Sequence, residues 1–160
     1  MSKLDKIEKE VEELHNRLLI AEPSHFSTRD LVDAFFGALF LGITFTIKGL
    51  LVEVSLILTK FNIIFIIIST LLILTAEIYF IGYSRVTKKA ERKFFQFWFK
   101  RIFAFYFVSL LTATFLVYLF GLNNLPQVIA NNDYTVLKMI ILISMPCSIG
   151  AAITDLLKKY

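Results

Sequence analysis

Four stretches of about twenty mostly apolar residues, at 31–52, 61–84, 102–120 and 136–157, constrain this 160-residue chain more than any other feature. A helix rises about 1.5 Å per residue, so each stretch is long enough to cross a hydrocarbon core of about 30 Å. The third is the cleanest, with no charge between Ile102 and Gly121. Apolar residues make up 57% of the chain, charged residues 19%, and the mean hydropathy is +0.70. A soluble domain runs at about 45–50% apolar and about 25% charged, so a soluble globular fold is excluded. The expected fold is an all-α membrane protein: a four-transmembrane-helix bundle with a short N-terminal amphipathic or coiled-coil helix. Residues 1–22 form that helix, 23–30 a hinge and cap, and 31–157 the transmembrane domain.

Residues 1–30 are charged and lack the pattern of a secretory leader, so the first span is expected to serve as an uncleaved anchor. Four spans place both termini on one side of the membrane. Fourteen of the 17 Lys and Arg residues fall on that side: in the N-terminal segment, in the loop after span two, and in Lys158 and Lys159. Only Lys48, Lys60 and Lys138 fall on the other. The positive-inside bias then makes both termini cytoplasmic and the protein a multi-pass component of the cell membrane.

Leu4, Ile7, Val11, Leu14 and Leu18 recur at alternating spacings of three and four, the seam of a short coiled coil, with Glu and Lys between them. The helix either lies on the membrane or its own bundle, or joins copies of the chain. Glu22-Pro23 ends it, because proline disfavours a helical residue before it. Ser27 can cap the next helix, with Phe26 stapled onto Leu31. The loop after span two is basic at Lys88, Lys89, Arg92 and Lys93 and then aromatic through Trp98. Beside a membrane span this is a lipid-interface anchor on anionic head groups rather than a nucleic-acid surface.

Catalytic signatures are missing. The chain has no Gly-rich phosphate loop, no Cys-x-x-Cys and no His-Glu-x-x-His. One cysteine, Cys147, and two histidines, His15 and His25, leave almost nothing for a thiolate or imidazole metal site. No enzyme, cofactor or metal is expected.

Charges inside spans are costly and are functional candidates by default. On a helical wheel of 100° per residue, Asp33, Gly37, Thr44 and Lys48 share one face of span one. Asn62, Ser69, Thr70, Glu77 and Ser84 share one in span two, Arg101, Ser109 and Thr112 one in span three, and Ser144, Ser148, Ala152 and Asp155 one in span four. These faces are expected to point to a bundle interior or a subunit interface. Small residues every fourth position, Ala34, Ala38 and Gly42 and again Ser144, Ser148 and Ala152, allow close helix approach. Pro146 is expected to kink span four. By depth, Asp33, Glu77, Arg101 and Asp155 gather in the cytoplasmic half, either as a structural ion cluster or as part of a cation pathway. Arg101, or failing that Lys100, is the expected partner of Glu77, directly or through a water. Lys48 and Glu53 are the charges of the outer side.

The runs Asp30-Leu31-Val32, Phe36-Gly37-Ala38-Leu39, Phe45-Thr46 and Ser148-Ile149-Gly150-Ala151-Ala152-Ile153-Thr154-Asp155-Leu156-Leu157 resemble an uncharacterised family of prokaryotic integral membrane proteins, catalogued as a domain of unknown function. The resemblance covers residues 27–157 and leaves the N-terminal heptads outside. It implies a multi-span helical membrane domain and carries no activity. Function is left between a small oligomeric cation channel or transporter and a non-transporting membrane scaffold or interaction protein. The expected partners are the lipid bilayer and further copies of the chain, with no nucleic acid.

Overall fold

The structure is a computed structural model that describes residues 28–47, 49–79, 94–130 and 133–157; the side chains of 94–98, 133 and 155–157 are not among those described. The N-terminal heptads, the Ser27 cap, Lys48 and the basic loop residues Lys88, Lys89, Arg92 and Lys93 lie outside the described residues. The elements are α1 (Thr28–Ile47), α2 (Leu50–Ile57), α3 (Lys60–Glu77), α4 (Phe94–Leu119), a 3-10 turn (Leu122–Asn124), α5 (Pro126–Ile129) and α6 (Asp133–Leu157). The described residues are all helical or in connections, with no strand. Four segments are long and apolar enough to span a membrane: Thr28–Ile47, Lys60–Glu77, Phe99–Leu119 and Tyr134–Thr154.

The chain departs from the expected stretch 31–52 at Gly49. Helix α1 stops at Ile47, and Gly49 takes a φ of 69° while its N–H donates to the Thr46 carbonyl at 3.2 Å. That left-handed conformation is open to glycine at no steric cost, and it ends the helix. The apolar run then resumes as α2, whose eight residues rise only about 12 Å and cannot cross the membrane. Thr59 starts α3 by accepting a hydrogen bond from the Asn62 N–H at 3.4 Å, so the chain turns before Lys60.

The helix directions follow from contacts. Gly37 of α1 lies against Gly150 and Thr154 of α6, while Gly42 lies against Cys147, so α1 and α6 are antiparallel. Lys138, one turn into α6, donates to the Leu58 carbonyl just before α3 at 2.7 Å. The starts of α6 and α3 therefore share one end of the bundle, and the ends of α3 and α6 share the other with the start of α1. Helix α4 packs against both α1 and α6, which makes these three the centre; α3 leans on α6 and touches α4 only lightly. Phe105, Leu116, Met139, Ile143 and Cys147 fill that centre without measurable exposure. Phe36, Phe40, Phe65, Phe103 and Phe107 point outward, as befits faces solvated by lipid chains.

Between helices in lipid the hydrophobic effect offers no drive, and close packing takes its place. The face of α1 that packs inward is Asp30, Ala34, Ala38, Gly42 and Thr46, all buried and all four residues apart. A Cβ on Gly42 would stand 2.6 Å from both Cys147 Sγ and Leu116 Cδ1. Helix α6 continues through buried Pro146, whose missing N–H deprives the Leu142 carbonyl of its intrahelical donor.

Lys138 bridges 80 residues of sequence to Leu58, and its Nζ also stands 5.3 Å from the centre of the Tyr134 ring. Leu58 sits between two helices, so its carbonyl has no helical donor of its own. Lys138→Met keeps the stem and deletes the donor, at an expected cost of about 1.5–3 kcal/mol for a charged hydrogen bond. Thermal unfolding in detergent reads the loss; an unchanged melting temperature would mean that the corner is held without it.

Candidate functional site

The polar end of the bundle is assembled from four helices. Asp30 and Asp33 lie in the first two turns of α1, Glu77 closes α3, Arg101 lies two turns into α4, and Asp155 lies at the end of α6. The antiparallel arrangement brings these four helix ends to one side of the protein. Arg101 is 2% exposed and Asp30 5%, while Asp33 and Glu77 are half-buried and Lys100 is exposed. A guanidinium is always charged, and burying it is costly unless other groups satisfy it. Of the two adjacent basic residues, Arg101 is the buried one and Lys100 the exposed one. The side chain of Asp155 is outside the described residues, as is that of Trp98.

Glu77 carries one of the two buried polar side-chain atoms of this end that have no hydrogen bond among the described residues, Arg101 Nε being the other. Glu77 Oε2 is buried, and among the described residues nothing donates a hydrogen bond to it. Removing a carboxylate oxygen from water without a donor costs about 1–3 kcal/mol, and more if it is charged.

The hydroxyls along the spans are used otherwise. Ser109 donates to the Phe105 carbonyl at 2.7 Å, Thr112 to Val108 at 2.8 Å, Ser148 to Ser144 at 2.7 Å and Thr70 to Ile66 at 2.7 Å. Each bonds the turn before it in its own helix, a common device for burying Ser and Thr. The interior stripes of α4 and α6 are thus satisfied within their own helices.

The stripe predicted on span one turns out differently. Thr44 is exposed and returns its hydroxyl to the Phe40 carbonyl at 2.9 Å. Asp33 is half-buried beside the buried face, whereas Gly37 does lie in the contact with α6, against Gly150 and Thr154. Asp30, not among the span charges singled out from the sequence, is the buried carboxylate of α1. Its signal was available: it stands four residues before Ala34 and so continues the Ala34-Ala38-Gly42 line. At the far end of the bundle, Glu53 of α2 is exposed.

The family model described as "Putative integral membrane protein (DUF2391)" matches residues 3–157, and the chain belongs to that family. The match begins well before residue 27, so the family takes in the N-terminal heptads as well as the bundle. No curated protein and no solved structure matches the chain.

Proposed function

We propose that this member of the integral membrane family is a homo-oligomeric channel or carrier for a small cation, protons included, with Glu77 as the group that takes up the ion. The observation that carries this is the buried Glu77 Oε2 without a described hydrogen-bond donor. Asp33 and Asp155 supply further negative charge at the same end, and Arg101 the balancing positive charge. The chain is a multi-pass protein of the cell membrane with both termini cytoplasmic, which makes the polar end the cytoplasmic one. The basic loop with Lys88, Lys89, Arg92, Lys93 and Trp98 holds that end against anionic head groups. Cation flux in vesicles reconstituted with the protein, lost on Glu77→Gln, tests the proposal.

A specific observation also favours the alternative, a membrane scaffold or interaction protein that transports nothing. The interior hydroxyls are bonded within their own helices and α1 seats tightly on α6, so the centre offers little to a passing ion. For a transporter, the same facts move the path away from the centre of one subunit and towards α3, where Glu77 lies.

Orientation has its own test. Asn124 is exposed in the connection between α4 and α5. A cysteine placed there is expected to react with an impermeant thiol reagent from outside the cell, while native Cys147 is buried and silent. Labelling only after the cytoplasmic side is opened would reverse the topology.

A further inference from the structure

We propose that Asp30 is the counter-charge of Arg101, in a buried ion pair that joins the start of α1 to α4. The pair keeps the guanidinium from Glu77, which makes Asp30 a positioning residue of the candidate ion site. That role rests on the cation reading above; the pairing itself does not. Asp30 and Arg101 are the only charged residues with buried side chains among the described ones, at 5% and 2% exposure. A lone buried charge is costly, and a guanidinium cannot shed its own. Two buried charges of opposite sign on neighbouring helices offset that cost when they meet.

The register of the two helices brings these residues together. The short connection from α4 into α6 reverses the chain, so α1 and α4 both run against α6 and therefore run the same way. A Cβ on Gly42 would stand 2.6 Å from Leu116 Cδ1, which fixes one level of the α1–α4 contact. Asp30 lies on the Gly42 face, with Ala34 and Ala38 between them. Arg101 lies on the Leu116 face, with buried Phe105, Ser109 and Thr112 between them. Counting back from the contact, Asp30 is 42 − 30 = 12 residues away and Arg101 is 116 − 101 = 15. The difference of three residues is about 4.5 Å along the axis, a gap that an arginine stem covers.

Glu77 stands apart from this register. It closes α3, which packs on α6 and touches α4 only lightly, and its Oε2 receives no hydrogen bond from the described residues. The cation expected from sequence to neutralise Glu77 is instead engaged by α1. With Asp30 in place, the guanidinium does not compete with an incoming cation for the Glu77 carboxylate. Without it, a charge that has to be balanced turns to the carboxylates that remain at this end, Asp33 and Glu77.

Thermal unfolding of the full chain in detergent tests the pair through Asp30→Asn, Arg101→Met and the two combined. Asp30→Asn strands a permanent charge and is expected to melt several degrees below the parent. The double variant removes the stranded charge and is expected to melt above Asp30→Asn, while Asp30→Glu keeps the pair and melts close to the parent. Where Asp30→Asn aggregates, recovery of a single species by the double variant is the same result. A double variant that melts at or below Asp30→Asn, or that aggregates with it, would overturn the pair. Cation flux into vesicles tests the positioning role. Asp30→Asn is expected to raise the cation concentration for half-maximal flux severalfold, with Asp30→Glu restoring the parent value. An unchanged half-maximal concentration in folded Asp30→Asn would overturn the positioning role and leave the pair standing. No flux from the unaltered chain would remove the cation reading and the positioning role together, and the melting comparison would still decide the pair.

Discussion

Gly150→Leu is expected to leave the protein unable to seat α1 on α6. A Cβ on Gly150 would already run into the Gly37 carbonyl, and a Cβ on Gly37 would run into the Thr154 side chain and the Gly150 carbonyl. The obstacles are mostly backbone, so no rotamer change can make room. Overpacking a core that can adjust costs about 1–3 kcal/mol, and here the whole interface has to open, so the expected loss is at the upper end of that range or beyond it. The effect is large because α1 and α6 hold the centre of the bundle, and in lipid nothing except close packing and hydrogen bonding replaces what is lost. The expected outcome is a protein that aggregates in detergent instead of eluting as one species. Leu111→Ala, on the lipid-facing side of α4, is expected to change stability by no more than about 0.5 kcal/mol. Equal behaviour of the two variants would mean that the α1–α6 contact does not hold the fold.

The four spans were legible because length and hydropathy alone decide whether a helix can cross a bilayer. The break at Gly49 was not, since Leu50–Ile57 is as apolar as any span and hydropathy is blind to a change of direction. A glycine is the one mark left there, and glycines inside membrane helices also serve packing, as Gly37 and Gly42 do. The small-residue line through Ala34, Ala38 and Gly42 identified the packing face of α1 correctly, because close approach has no substitute. The polar line through Asp33 and Thr44 was a weaker guide. A threonine can satisfy its hydroxyl on its own helix, so its polarity does not oblige it to face inward. Asp30 escaped notice because acidic residues at helix starts have a local explanation, favourable charge near the N-terminus, which hides a tertiary one. Arg101 and Glu77 were found from depth, and depth reports distance along the membrane normal without saying which way two helices face. The sequence pairs Glu77 with Arg101 directly or through a water, and among the described residues no direct donor to Glu77 Oε2 is present.

Glu77→Gln is expected to abolish cation movement without changing the fold. Glutamine matches glutamate in size and keeps one carbonyl oxygen, but it carries no charge and accepts no titrating proton. A neutral amide is also less costly to bury than a charged carboxylate, so the variant is expected to fold at least as stably as the parent. Any loss of activity is then a loss of the ionisable group. Asp33→Asn, on a half-buried carboxylate beside the cluster, is expected to slow flux without ending it.

The most direct measurement is ion flux into vesicles reconstituted with the full chain, with an imposed proton, sodium or potassium gradient and an ion-sensitive dye inside. Cation entry well above that of protein-free vesicles, falling to the protein-free level for Glu77→Gln reconstituted to the same density, is the expected result. No flux from the unaltered chain under any of the three gradients, or equal flux from the chain and from Glu77→Gln, would contradict it.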